Sequence, residues 1–172
     1  LYDLIIEDSN ITTAEEDIQE YDVSVLSLEE RSTNNMTVHT APNNDFNSLT
    51  DTEDILELIE EERVTESDSI AINTERSSQS TSGDVIVHRV DVSGVEGILA
   101  QTGGSDFNGL NNSVATDNGE AFSVTLTQTN PGQNADPIQA TLGEELTTSN
   151  SRVVADTAND TVYIIARSNA LE

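Results

Sequence analysis

Residues 121–129 read AFSVTLTQT, and this stretch carries the clearest secondary-structure signal in the chain. Phe122, Val124 and Leu126 alternate with Ser and Thr side chains, which is the period of two expected when one face of a strand is buried and the other is wet. An Asn-Pro-Gly turn signal at 130–132 follows directly. The stretch therefore predicts a β-strand that ends in a turn.

Further strands are predicted on both sides of this stretch, in short runs rich in Val and Ile that turn residues interrupt. In the second half of the chain they lie at 84–92, 95–101, 138–142 and 161–168, and in the first half at 2–6, 21–28, 36–40 and 69–73. The polar segments 74–83 and 103–120 are predicted as loops. Short strands separated by turn signals are typical of an all-β protein.

Residues 51–63 (DTEDILELIEEER) show a helical pattern instead. Apolar side chains recur there at helical spacing and form one stripe, while most of the remaining face is carboxylate. The stripe consists of Ile55, Leu58 and Ile59, widened by Leu56. Thr50 is predicted to cap the first turn, with Glu53 three residues later completing a capping box. The segment predicts one amphipathic helix that packs against the strands.

Together these elements predict an all-β fold, a single jelly-roll or β-sandwich barrel of about eight to ten strands with one short helix. The prediction is one domain, 1–172, whose acidic N-terminal half (1–83) contains the helix and whose C-terminal half (84–172) is rich in strands. An acidic N-terminal arm packed on a smaller β domain is the alternative.

The charge of the chain is strongly one-sided, with 33 Asp plus Glu, 6 Lys plus Arg and a formal net charge of -27. Lysine is absent, and the cations are Arg31, Arg63, Arg76, Arg89, Arg152 and Arg167. In dilute buffer such charges repel and oppose the compact state, whereas at molar salt the Debye length falls to about 3 Å. The composition resembles that of proteins from halophilic archaea and their viruses. A surface so poor in cations also disfavours nucleic acid as a partner.

Enzymatic function finds little support in the residue types present. There is no cysteine, and the two histidines are His39 and His88. His88 lies inside a predicted strand, where a structural role is favoured over general-base catalysis, although sequence order alone leaves a Ser-His-Asp arrangement open. Adjacent carboxylates are expected by chance at this acidity. The glycines match neither phosphate-loop nor dinucleotide-binding spacing. The sequence therefore predicts a protein that is not an enzyme and has no cofactor.

Metal binding is also predicted to be absent, with two glycine-containing loops as the alternative. The segments 106–109 (DFNG) and 117–120 (DNGE) offer oxygen ligands, and the candidates are Asp106, Asn108, Asp117 and Glu120. Neither segment matches the spacing of an EF-hand loop. Weak, nonspecific association with salt cations is the favoured interpretation.

Four Asn-x-Ser/Thr sequons begin at Asn10, Asn35, Asn111 and Asn159. Chance accounts for about this number, because the chain contains many Asn, Ser and Thr residues. The sequons alone therefore do not indicate an extracellular location.

The size, strand number and salt-adapted composition resemble those of the small single-β-barrel (jelly-roll) major capsid proteins of internal-membrane icosahedral haloarchaeal viruses. This resemblance implies a capsid subunit of the virion that assembles in high salt with copies of itself or with a related β-barrel capsid chain. The alternative is an extracellular surface or adhesion β module of a halophilic archaeon. Direct membrane insertion is not expected, because no apolar run approaches the ~20 residues of a membrane-spanning helix.

Assembly contacts are predicted in the less charged part of the chain. Up to residue 86 there are 22 acids and 3 arginines, and after it 11 acids and 3 arginines, which gives -19 and -8. Two copies of the more acidic part would bring carboxylates together, even in strong salt. Arg89, Arg152 and Arg167 are the predicted contacts, since each can form a bidentate pair with a carboxylate of a neighbour.

Overall fold

The computed structural model describes residues 2–5, 23–26, 32–67, 83–95, 97, 99, 105–114, 124–129 and 136–171. Contacts divide the chain into two compact units, Leu1–Glu30 and Arg31–Glu172, which we call the hairpin unit and the sheet unit. In the hairpin unit, β1 (Tyr2–Ile5) pairs antiparallel with β2 (Val23–Leu26). The strands predicted at 2–6 and 21–28 are thereby confirmed.

The sheet unit contains a five-stranded antiparallel sheet and a smaller two-stranded sheet. The five strands lie in the order β4-β3-β5-β9-β8, and β6 pairs with β7. In chain order the elements are β3 (Ser32–Pro42), the 3-10 turn η1 (Asn43–Asn47), α1 (Thr52–Glu60), β4 (Thr65–Glu66), β5 (Asp84–Ser93), α2 (Asp106–Val114), β6 (Thr125–Thr127), β7 (Gln139–Thr141), β8 (Ser151–Asp156), β9 (Thr161–Arg167) and the 3-10 turn η2 (Ser168–Leu171). The prediction of an all-β fold is confirmed.

The five-stranded sheet is buried on both faces along β9. Side chains alternate between the faces of a strand, and two apolar clusters result. On the α1 face, Val85, Val87 and Ile165 pack under η1 and α1. On the α2 face, residues such as Val162 and Ile164 pack under α2 and the small sheet. Both clusters are built from aliphatic side chains with few aromatics, as a chain without Trp requires.

Helix α1 confirms the predicted amphipathic helix, with shifted ends. Its N-cap is Asp51, whose side chain accepts a hydrogen bond of 2.9 Å from the backbone N–H of Asp54, one residue later than the predicted cap. The helix ends at Glu60, and Glu62 adopts a left-handed backbone conformation with φ of 58°. Ile55 and Leu58 are buried against the sheet, as the stripe predicts.

Two predictions in the middle of the chain are wrong. The strand predicted at 95–101 is absent from the described residues of this range, because Gly97 and Leu99 have helical backbone conformations. The loop predicted at 103–120 contains helix α2, which buries Phe107 and Leu110 in the α2-face cluster. Gly109 has a steric role here, because a Cβ at this position would lie 2.8 Å from the Cα of Leu99.

The remaining predicted strands differ mainly in length. The predictions at 36–40, 84–92, 121–129, 138–142 and 161–168 correspond to β3, β5, β6, β7 and β9. Strand β8 was not predicted, and the strand predicted at 69–73 lies outside the described residues. Within the described ranges, no helix is both long enough and apolar enough to span a membrane.

Candidate functional site

The three arginines predicted as assembly contacts all lie on the α1 face of the sheet. In the strand register, Arg89 is opposite Tyr163, Arg152 is opposite Ile165, and Arg167 is two residues beyond Ile165 on the same strand. Opposite residues, and residues two apart on one strand, share a face. The sheet therefore gathers these scarce cations on one side.

Arg152 and Arg167 are engaged within their own chain. Their guanidinium carbons lie 4.6 Å and 4.2 Å from the centroid of the Phe46 ring. Arg152 donates a hydrogen bond of 3.3 Å to the carbonyl of Leu49, and Arg167 donates one of 2.8 Å to Oδ1 of Asn43. We call this group, with its buried Phe46, the η1 clamp, because it attaches η1 to β8 and β9 by charge, stacking and hydrogen bonding.

The η1 clamp holds two cations, Arg152 and Arg167, close together and partly removed from water. Burial lowers the pKa of Arg167 from its usual value, and the neighbouring charge of Arg152 adds to the effect. An ion pair lies next to the η1 clamp in the sequence, between Arg63 and the buried carboxylate of Asp45. The other oxygen of Asp45 has no hydrogen-bond partner in the described part of the chain. The arrangement stabilises η1 and positions no nucleophile.

Arg89 occupies a more open position on the α1 face. It pairs at 3.3 Å with Asp91, and both side chains are partly exposed, at 47% and 33%. The hydroxyl of Thr161 lies 3.4 Å from the same carboxylate. Nearby, burial raises the pKa of Tyr163, with Arg89 opposing the shift. Of the three predicted contact arginines, Arg89 is the one that solvent reaches most freely.

The two histidines lie on opposite faces of the sheet. His39 is opposite Val87, whereas His88 is opposite Val38. Burial lowers the pKa of both rings, and Glu66 partly offsets this for His39. Neither Nδ1 atom has a hydrogen-bond partner among the residues that the structure describes. His39 has a hydrogen bond with the backbone of Val87, which also opposes the lowering of its pKa. Within the described residues, no carboxylate is hydrogen-bonded to either Nδ1 atom, as it would be in a Ser-His-Asp site.

The candidate cation ligands do not form a cluster in the described part of the chain. Asp106 begins α2, and its Oδ2 accepts a hydrogen bond of 2.8 Å from the backbone N–H of Ala155, so this carboxylate joins α2 to β8. Asn108 is exposed in the first turn of the helix. Asp117 and Glu120 lie outside the described residues. No group of three or more His, Asp or Glu residues suited to a metal occurs within the described ranges.

The sequons occupy three different structural settings. Asn35 is exposed in β3, Asn111 is half-buried in α2, and Asn159 is exposed in the turn between β8 and β9. Asn10 lies outside the described residues. The sequon pattern is the same at all of these positions, so the differences in exposure and secondary structure are seen only in the fold.

Comparison with known proteins gives one informative relative. No family model and no solved structure matches the chain. The chain is 36% identical over 143 residues to a protein of Haloferax gibbonsii described as "Cell surface glycoprotein". The aligned region is 83% of this chain but 14% of that protein, so the chain spans a small part of the relative's length.

This similarity corrects the predicted function. The prediction of a virus capsid subunit is wrong, because the relative is a cell-surface protein of a haloarchaeon. The error has a physical origin: a salt-adapted acidic surface and a β-rich core serve equally well on a virion and on a cell, and neither feature identifies the partner. The alternative, an extracellular surface module, is the better supported interpretation.

Proposed function

We propose that this chain is an extracellular β module within a larger cell-surface protein of a halophilic archaeon. The observation that carries the proposal is the similarity over 83% of the chain to a cell surface glycoprotein that is several times longer. A segment of such a protein acts by folding stably in brine and by presenting its surface to its neighbours.

The distribution of polar and apolar groups supports this role. Helix α1 directs Ile55 and Leu58 into the core, while acidic residues such as Glu57 and Glu60 face solvent. Carboxylates on the outside hold water and cations at molar salt without the long-range repulsion they exert in dilute buffer. The same surface would be poorly suited to a dilute medium, so the exterior of a halophile is a fitting environment.

The proposed role is structural and non-catalytic. Within the described residues, neither histidine Nδ1 is hydrogen-bonded to a carboxylate, as it would be in a Ser-His-Asp site, and the η1 clamp uses its arginines to hold the fold together. Contacts with copies of this chain or with adjoining modules would then use surface groups such as Arg89, which remains accessible beside Asp91. Salt cations are the expected small partners of the acidic surface.

Protease accessibility on intact cells tests the proposed location. The chain has no lysine, so amine-reactive reagents cannot label its side chains. Cells that make the full-length protein are instead treated with protease in molar salt, and the segment is followed with an antibody. We expect cleavage in intact cells while an intracellular control protein survives. Protection of the segment until the cells are lysed would refute the proposal.

A further inference from the structure

We propose that Asn35 is an acceptor for an N-linked glycan. The inference rests on the extracellular location proposed above, because the sugar-transfer machinery acts on exported chains. It goes further by assigning the modification to one of the three described sequons, on the basis of what each of these asparagines does in the fold; Asn10 lies outside the described residues.

The setting of Asn35 leaves its amide available. The residue is exposed, and its side chain makes no hydrogen bond within the described part of the chain. The register of β3 against β5 shifts between Thr33 and Asn35, which leaves Asn34 as the extra residue of a β-bulge. Asn35 and Thr37 are two residues apart on one strand, so the amide and hydroxyl of the sequon share a face.

At the other two described sequons, the asparagine side chains make contacts within the fold. Asn111 is half-buried in α2, and its side-chain amide packs directly against Gly143. Asn159 is exposed, but its Nδ2 donates a hydrogen bond of 2.7 Å to Asp156 in the tight turn. Thr161, the third residue of this sequon, is buried, and its hydroxyl lies 3.1 Å from the carbonyl oxygen of Asn159. A bulky glycan fits least well at Asn111, and at Asn159 it would crowd an occupied turn.

The surroundings of Asn35 also explain what a glycan would do there. Residues 31–44 contain no Asp or Glu, although the chain has 33 such residues. Within the described ranges, β4 pairs only with His39 and Thr40, so the outer edge of β3 before them meets no strand. Met36 is 60% exposed beside it. A neutral glycan would hydrate this segment, which has no carboxylate side chain, and would obstruct pairing with another strand.

The modification follows a balanced group transfer. The co-reactant is an oligosaccharide joined through a phosphate ester to a lipid carrier, and a membrane-bound transferase supplies the catalytic groups. Nδ2 of Asn35 forms a bond to the anomeric carbon of the sugar while the bond from that carbon to the phosphate oxygen breaks. The lipid phosphate leaves with the electron pair, and the amide nitrogen loses one proton.

Cleavage at arginine allows each sequon to be assayed separately. The six arginines place Asn10, Asn35, Asn111 and Asn159 on four different peptides, and Asn35 falls in the peptide 32–63. The protein is isolated from its haloarchaeal cells, and the peptides are analysed by mass spectrometry. We expect the peptide 32–63 to carry the added mass of one or more sugar residues on Asn35.

Point variants then test the assignment. Asn35→Gln and Thr37→Val should abolish the added mass, whereas Thr37→Ser preserves the sequon and should retain it. Asn34→Gln is the matched control, because Asn34 is the adjacent asparagine but does not begin a sequon. Retention of the added mass in Asn35→Gln would overturn the assignment.

The outcomes separate this inference from the proposed function. An unmodified Asn35 in protein that protease reaches on intact cells overturns the glycan and leaves the surface location intact. Sugar found on the peptide 153–167 but not on 32–63 makes Asn159 the acceptor and also overturns it. If the segment is protected until lysis and Asn35 is unmodified, both proposals fail.

Discussion

Replacement of Arg167 by Gln tests whether the η1 clamp holds the sheet unit together. The variant loses the guanidinium stacked on Phe46, worth about 0.5–2 kcal/mol, and the charged hydrogen bond to Asn43, worth about 1.5–3 kcal/mol. Gln is shorter and neutral and retains little of either interaction. We therefore expect the free energy of unfolding to fall by about 2–5 kcal/mol, and Tm by roughly 4–20 °C for a protein of this size.

Arg89→Gln provides the matched control on the same sheet face. Its ion pair with Asp91 is partly exposed, and such pairs contribute only about 0.2–1 kcal/mol. Both variants are unfolded with urea and with heat in molar KCl, where exposed pairs are further screened. Equal small shifts for the two substitutions would refute the clamp. A double-mutant cycle with Phe46→Leu should also give a coupling energy of about 0.5–2 kcal/mol, and strict additivity would count against the stacking.

Three further outcomes are expected. Cooperative folding should require roughly molar salt, because only screening removes the repulsion behind a net charge of -27; equal Tm values in dilute buffer and molar KCl would contradict this. Leu58→Ala should lower the free energy of unfolding by about 2–5 kcal/mol, because Leu58 is buried. Glu57 faces solvent, so Glu57→Ala should change this free energy little, and urea titration distinguishes the two variants. Burial lowers the folded-state pKa of His39 and His88, so below about pH 6.5 the unfolded chain binds more protons. Stability should fall as pH drops through this range, and less steeply in His88→Leu; an identical pH dependence would count against the role of His88.

The elements predicted correctly are those whose local pattern agrees with their packing. Helix α1 combines a cap, an apolar stripe and an acidic outer face, and β3, β5 and β9 are rich in β-branched side chains. In these segments propensity and burial favour the same structure. The ends were less predictable: the N-cap is Asp51, since neighbouring Thr and Asp residues are comparable capping groups.

The elements missed are those that tertiary contacts stabilise against local preference. Helix α2 contains Gly109 and several asparagines, which are weak helix formers, yet its burial of Phe107 and Leu110 and its close approach to Leu99 stabilise it. Strand β8 was missed because Val153 and Val154 are buried on opposite faces, so the run lacks the alternation of a half-wet strand.

The candidate site was foreseen only in part. The sequence identified the arginines as scarce and important, but their neighbours in the fold depend on strand register. Register brings Arg152 and Arg167, which lie on different strands, to the same Phe46 ring. Likewise, spacing finds all four sequons, while burial and hydrogen bonding distinguish Asn35 from the other two described ones, Asn111 and Asn159. The proposed cell-surface role rests on similarity to a relative, because composition reports the solvent around a protein and not its partners.

The strand order of the sheet unit has a mechanical consequence. Because β5 is antiparallel to both β3 and β9, the start of β3 at Ser32 and the end of β9 at Arg167 lie at opposite ends of β5. A force that pulls these two points apart acts along the strands and across hydrogen bonds that run between them. Both ladders are then loaded in shear, and their bonds must rupture together instead of unzipping one at a time. A module connected in this way would resist stretching, which is a useful property in a protein exposed to tension at the cell boundary.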